Sequence, residues 1–423
     1  MKIVISAFGT RGDVQPMIGI AVEAIRRGHQ VLVVVSKGMQ PLLNQYQIPY
    51  ALYQGLSAQE QFGKLGGGHA ASTQILKRIK EHMISQVNEL PGLCGGADIL
   101  IGNNLDAAAA SVAEYCGIPY VRIGLTPVFA GDGRPTTIAL QSLSKRMNKW
   151  TWKLGLVSWE LLLKPQLNKA RKILGLAHVP DYYHHSVANP SILCLDKRLA
   201  PPSSDWPVNV SYSGYPFLPT QDELPEELLD FVEAGEPPVY FGFGSMGSSD
   251  PKKTTATILS AIKSSGLRAI IHKGWAGLGG EVLPDHVMEI ADTCHLLLFP
   301  YLSGIVHHGG AGTTHTAAVA GIPQLVIPHI TDQFYYGQSV FENELGPKPV
   351  PFKRLNGKNL AAALTELRQP QYKKKAQEFG GSMELDGTDK TLDLIEQYGS
   401  GTNTGKLKTQ GAFWTVSVKN TQL

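Results

Sequence analysis

The sequence predicts an α/β protein made of two doubly wound, Rossmann-like domains facing each other across a cleft. Three observations carry this. Short β-branched apolar runs alternate with segments of helical periodicity, glycine turns join run to helix, and the whole pattern restarts halfway along the chain. A chain of 423 residues is also too long for one ordinary core, so two domains of roughly 200 residues each are expected.

The elements follow in order. KIVISA (2–7) is a continuous apolar run, as a strand buried on both faces requires. The loop FGTRGDVQ comes next, with Pro16 placed as a first helical residue and Met17, Ile18, Ala21, Val22 and Ile25 recurring at helical spacing. Gly28 stops that helix, and QVLVVVS completes a strand–helix–strand unit. ADILIGNN, an alanine-rich helix reaching Cys116, and IPYVRIG repeat the plan. A segment rich in proline and acids (215–228) reads as a linker, after which PPVYFGFGSM, LRAIIHKG, GIVHH and PQLVIP supply further strands and TDKTLDLIEQYG a terminal helix. The expected division is an N-terminal domain over 1–214, the linker over 215–228, a C-terminal domain over 229–385, the terminal helix over 386–399, and a loose polar tail over 400–423.

Composition excludes several functions. Hydrophobic residues make up 43% of the chain and charged residues 17%, the balance of a globular protein. A net charge of +3 gives no general case for nucleic acid. No apolar run approaches the length of about eighteen residues that a membrane span needs. The opening MKIVISA is broken at once by glycine and charge, so it reads as a strand and not as a signal peptide. Cys94, Cys116, Cys194 and Cys294 are far apart and form no CxxC pair, which suits reduced thiols in a cytoplasmic protein.

The most informative stretch is VHHGGAGTTHTAAVAGIPQLVIPHITDQ (306–333). A strand ends at the histidines, GGAG turns the backbone tightly, and a helix begins. Free N–H groups at a helix start make an anion site; glycines admit a phosphate to the backbone, threonine hydroxyls and an imidazole add donors. An ordinary capped helix with packed histidines is the plainer reading. No GxxxxGK[ST] is present, and GTRGD lacks the third glycine of GxGxxG, with Ser36-Lys37 where a ribose-binding acid would stand. GFGSMG places Phe243 where a nucleophile elbow needs glycine. The pairs His184-His185 and His307-His308 have no nearby carboxylate or cysteine set, so no metal is expected. Asp332 and Gln333 follow the strand GIPQLVIP, where doubly wound sheets bind ligands, and suit the hydroxyls of a neutral sugar. Diphosphate at one corner and hydroxyls at the next describe a nucleotide sugar.

With GTRGDVQP (9–16), HHGGAGTT (307–314), DQ (332–333), LFPYLSGIVHH and GPKPVP in place, the chain closely resembles the family 1 glycosyltransferases of the GT-B fold. Within them it looks most like the branch of sterol glucosyltransferases and glycopeptide or macrolide glycosyltransferases, over about residues 1–398. The resemblance implies Asp13 as the general base on the acceptor hydroxyl. It implies donor contacts from Ser245, Trp275, His295, His308, Gly310, Gly312, Thr313, Thr314, Asp332 and Gln333, with Thr10 and Gly12 bordering the site from the N-terminal domain. It also implies an inverting transfer of a sugar, glucose by the family pattern at Gln333, from UDP or dTDP to a sterol, another lipid alcohol or a natural-product aglycone, with no cofactor or metal. Cys294-His295 and Leu296-Leu297 depart from the pattern in the segment near the nucleotide base, and the first loop lacks the histidine that plant relatives use there. An aspartate at a helix start is expected to have a lowered pKa and to accept its proton late.

Two alternatives stay open, a sugar-nucleotide 2-epimerase and a non-catalytic sugar-nucleotide-binding protein. A further expectation concerns 144–172. Lys145, Arg146, Lys149, Lys153, Lys164, Lys169, Arg171 and Lys172 stand there against Glu160, interleaved with Trp150, Trp152 and Trp159. Gly155 and Pro165 divide the stretch into two short helices that either touch an anionic membrane surface or line pocket and core.

Overall fold

A computed structural model describes residues 1–400 except 56, 58–59, 61–68, 138–140, 208, 221, 248–249 and 281–282, so nearly all of the tail assigned to 400–423 lies outside the described residues. Lys2–Ala7 (β1), Gln30–Val35 (β2), Tyr50–Leu52 (β3), Ile99–Asn103 (β4), Tyr120–Gly124 (β5), Ser191–Leu193 (β6) and Val210–Tyr212 (β7) form one parallel sheet in the order β3-β2-β1-β4-β5-β6-β7. Val239–Gly242 (β8), Ala269–His272 (β9), Val287–Ile290 (β10), Gly304–His307 (β11) and Gln324–Val326 (β12) form a second in the order β10-β9-β8-β11-β12. Each order reverses once, between β1 and β4 and between β8 and β11. At a reversal the flanking loops leave in opposite directions and open a crevice beyond the strands' carboxyl ends.

Burial on both faces explains the continuous apolar runs. Ile3 and Ile5 of β1 enter one core layer while Val4 joins Leu100 in the layer on the other side. The first helix, Arg11–Arg26, starts well before Pro16, which lies inside it. Extended Thr10 caps it, and Asp13 at the third helical position accepts the Thr10 N–H, so local capping sets the start ahead of the proline. Helix Lys145–Leu162 runs unbroken through Gly155, and the break falls at Pro165 in the first turn of helix Lys164–Ile173. A Cβ at Gly155 would come within 3.0 Å of Thr136, so the glycine admits close packing and does not end the helix.

The two sheets are firmly joined. Asp196 N–H donates to His315 at 3.1 Å, Ser339 to the Leu199 carbonyl at 2.6 Å, and Tyr336 to the Leu125 carbonyl. Tyr335, Tyr336 and Ala311 enter the same apolar cluster as Ile3 and Ile5. The segment 215–228 is no free linker: Tyr215 and Leu218 are buried, and its last residues open helix Glu226–Glu233. Helix Gly387–Gly399 returns to the first domain, where Leu392 and Ile395 are buried and Arg27 donates to Asp393 at 2.6 Å. Among the described residues no helix is long and apolar enough to cross a membrane.

Candidate active site

One cavity of about 970 Å³ joins the two strand-order reversals. Thr10, Gly12 and Asp13 line it from the first domain; Ser245, Trp275, His295, His308, Gly310, Gly312, Thr313, Asp332 and Gln333 line it from the second.

The second domain supplies an anion corner. Gly310 caps helix Ala311–Val319 without any side-chain hydrogen bond. The N–H groups of Ala311, Gly312 and Thr313 therefore meet the cavity with no partner among the described residues. The adjacent histidines divide as strand geometry demands. His307 is fully buried and its Nδ1 accepts the Gly309 N–H at 3.2 Å, whereas His308 borders the cavity. A Cβ at Gly310 would lie 2.4 Å from His308 Nε2, so only glycine lets that ring cover the helix start. Burial pulls His308 down to about 4, so the ring that borders the cavity is neutral near pH 7. Thr314 departs from its expected role. Its hydroxyl is buried and donates to the Gly310 carbonyl at 2.9 Å, and its side chain does not reach the cavity, because it lies on the inward face of the helix.

Asp13 faces this corner from the other domain. Its Oδ2 accepts the Thr10 N–H at 2.8 Å and the Thr10 hydroxyl at 3.0 Å, while its Oδ1 has no partner among the described residues. One oxygen caps the helix and the other is left for a ligand. The expected lowered pKa is not found. Burial pushes the carboxyl up from 3.8 to about 6, opposed by the Thr10 hydrogen bonds and reinforced by the Asp332 and Asp106 carboxylates. Loss of water outweighs the helix start here.

Asp332 and Gln333 open helix Asp332–Glu342, and the turn before it is strained: Thr331 has φ +40°. Gln333 holds that turn, its Oε1 accepting the N–H groups of His329 and Ile330 at 2.8 and 3.1 Å. Much of its hydrogen-bonding capacity is thus spent on backbone, and Asp332 is the more open of the pair. The Asp332 carboxyl accepts from Thr331 at 2.8 Å and from Thr126 of the first domain at 3.3 Å, and burial raises its pKa. His295 is engaged by Tyr240 at 3.0 Å and stacks on Phe299, and burial pulls it down to about 3.

Sequence reasoning missed a bridge over the cleft mouth. Arg11 donates to Asp292 at 2.8 Å, and His272 stands 3.2 Å from the other Asp292 oxygen; the His272 hydrogen bond leads in holding that carboxyl down to about 2. GTRGD displayed the arginine, but nothing in a linear pattern pairs residues that far apart. Among the described residues no three or more His, Cys, Asp or Glu side chains gather to hold a metal ion.

Residues 3–132 match the family model described as the glycosyltransferase family 28 N-terminal domain, and residues 266–388 the one described as erythromycin biosynthesis protein CIII-like, C-terminal domain. The sterol 3-beta-glucosyltransferase UGT80B1 of Arabidopsis thaliana is 30% identical, covering 94% of this chain and 68% of that protein. The vancomycin aglycone glucosyltransferase of Amycolatopsis orientalis is 30% identical, covering 93% of this chain and 97% of its own. The chain belongs to the family 1 glycosyltransferases. The fold of this glycosyltransferase is GT-B. The crystallised glycotransferase of kitacinnamycin matches it with a TM-score of 0.72 at 18% identity, covering 94% of this chain and 98% of that one.

The split role of Asp13 yields a test within this glycosyltransferase. Asp13→Asn keeps the cap, because an amide oxygen still accepts from Thr10, but removes the carboxylate expected to act as the base. Transfer should fall by at least about 100-fold while donor affinity stays within about twofold. Stability at pH 8 should hold or rise. The sign follows from the raised pKa: the folded state favours the protonated carboxyl, so ionisation costs stability as pH rises through about 6, a cost that neutral Asn lacks. Near-normal turnover by Asp13→Asn, or a marked loss of melting temperature, would make the residue a structural cap.

Proposed function

We propose that the enzyme moves a sugar, glucose in the first instance, from UDP-glucose or its dTDP counterpart to a hydroxyl of an apolar acceptor such as a sterol, another lipid alcohol or a natural-product aglycone. The observation that carries this reading is the pairing, across one cavity, of a helix start without a side-chain cap and a free carboxylate oxygen.

The acceptor oxygen attacks the anomeric carbon as the bond to the diphosphate breaks, with inversion at that carbon. The acceptor proton passes to Asp13 Oδ1, and the electron pair of the broken bond leaves with the nucleoside diphosphate. The N–H groups of Ala311, Gly312 and Thr313, the Thr313 hydroxyl and neutral His308 receive the growing negative charge, in a reaction proposed to need no cofactor. One donor of this kind is worth about 2.7–4 kcal/mol at a transition state. Asp332 would hold sugar hydroxyls, with Gln333 fixing the turn that presents it. Trp275, Ser245 and His295 would surround the nucleotide.

An apolar arm of the cavity, lined by Ile75, Leu76, Ile79, Leu105, Trp159 and Leu163 of the first domain, supports an acceptor site. Neither an epimerase nor a binding-only protein needs such an arm, and the relatives favour neither. Calorimetry tests the donor assignment. His308→Ala should weaken UDP and UDP-glucose alike, by about 10-fold or more, whereas Asp332→Asn should weaken the sugar nucleotide and spare UDP. Equal losses for both ligands with Asp332→Asn would remove that residue from the sugar.

Peripheral membrane contact has separate support, though not from the expected feature. The basic set is partly spent: Lys149 pairs with Asp205 and Asp132, Lys164 with Glu160, and Arg171 with Glu114. Trp152 is buried and Trp159 lines the cavity. Met147, Trp150, Leu154, Val157 and Leu161 instead form one outward stripe at helical spacing, with Trp150 52%, Leu154 67% and Leu161 70% exposed. Arg146 and Lys153 flank it, the latter over the Trp150 ring. A lipid surface answers both the apolar stripe and the cations. Wild-type protein should co-sediment with vesicles of anionic phospholipid, and Trp150→Ser with Leu154→Ser should release it. Failure to sediment at low salt with anionic or neutral vesicles would leave a soluble aglycone as the better acceptor.

A further inference from the structure

Arg122 does not fit the apolar arm it borders. It lies on β5 on the same face as Tyr120, while Val121 and Ile123 point to the opposite core layer. It lines the cavity. Its Nε donates to Ser191 at 3.2 Å and its guanidinium carbon sits 5.0 Å from the centre of the Phe129 ring. Its two terminal nitrogens have no hydrogen-bond partner, and no ion pair includes it, among the described residues. Loss of solvent draws its pKa below the ordinary arginine value. Even so, an arginine in a protein stays protonated.

Another arginine shows what the chain does with such a charge when its role is structural. Arg171, the more deeply buried of the two, holds Glu114 through both terminal nitrogens at 2.6 and 3.0 Å and donates to Ser111 and the Ala177 carbonyl as well. Arg122 is half-buried on β5, has no anion among the described residues, and its open side is the cavity. An uncompensated charge in such a place is costly once an apolar ligand in the arm shields it from solvent.

We propose that Arg122 anchors a carboxylate of the acceptor, and that the preferred acceptor is an amphipathic hydroxy acid: an apolar body with a transferable hydroxyl toward Asp13 and an anion on the guanidinium. This rests on the glycosyltransferase reading and narrows it. A wholly neutral body in the arm would strip water from Arg122 and return nothing. A carboxylate returns charge-assisted, potentially bidentate hydrogen bonds, for which arginine geometry is suited.

The test uses two acids, each with its methyl ester: lithocholic acid and 12-hydroxystearic acid. Binding is read without donor, by quenching of tryptophan fluorescence, since Trp159 borders the arm. Wild-type enzyme should bind at least one acid about 10- to 100-fold more tightly than its ester. Arg122→Met should reduce the acid to the level of the ester and leave the ester within about threefold, and Arg122→Lys should retain part of the preference. Equal or tighter binding of both esters by the wild type overturns the proposal, as does binding of none of the four. So does an Arg122→Met variant that melts normally and loses acid and ester alike. Should Arg122→Met not fold, the wild-type ratio and Arg122→Lys decide. UDP-glucose binding and transfer are measured separately, so their absence beside a clear acid preference would strike the glycosyltransferase reading and leave the anion site standing.

Discussion

The Asp13 carboxyl has two duties that electrostatics sets against each other. As the third residue of a helix it neutralises a helix start and accepts from Thr10, which favours the charged form. As part of a cavity wall between two domains it loses water, which favours the neutral form, and the second effect is the larger. The outcome is a carboxyl poised near neutrality with one oxygen committed to backbone and the other free. Much of the site's geometry depends on this division, because the free oxygen faces, across the cavity, the start of helix Ala311–Val319.

That wall is brought into place by docking of the domains. Contacts from His315, Tyr336 and Ser339 to Asp196, Leu125 and Leu199 hold the helices after β11 and β12 against loops after β5 and β6. The bond from Thr126 to Asp332 carries the same junction into the cavity itself. Helix Gly387–Gly399 adds a strap, since it follows the second domain in sequence and packs on the first. The Arg11–Asp292 pair at the cleft mouth is half exposed, and pairs of that kind contribute about 0–1 kcal/mol. The buried contacts therefore contribute more to the docking geometry than the pair at the mouth.

What the sequence made legible was local. Apolar runs located strands such as β1 and β11, and the glycine-rich turn located the anion corner, because both signals lie within a few neighbouring residues. Errors arose where packing overrode a local rule. Pro16 sits inside a helix that Thr10 and Asp13 start earlier, and Gly155 serves a close contact with Thr136 instead of ending a helix. Thr314 shares its motif with Thr313 but turns inward, and Gln333 holds a strained turn; neither is visible without the fold. The pKa of Asp13 ran opposite to expectation because burial depends on the partner domain. The Arg11–Asp292 bridge and the unpaired Arg122 were invisible for the same reason: pairing, and its absence, are properties of residues far apart in sequence.

Burial in the cleft lifts the Asp13 carboxyl toward neutrality. Carbon-13 labelling of aspartate, with the Asp13 resonance assigned by its loss in Asp13→Asn, allows its ionisation to be followed from pH 3 to 9 in the free enzyme. The midpoint is expected near 6. A midpoint at or below 4, the ordinary range of an exposed or capped aspartate, would contradict it and return the helix start to control of that charge.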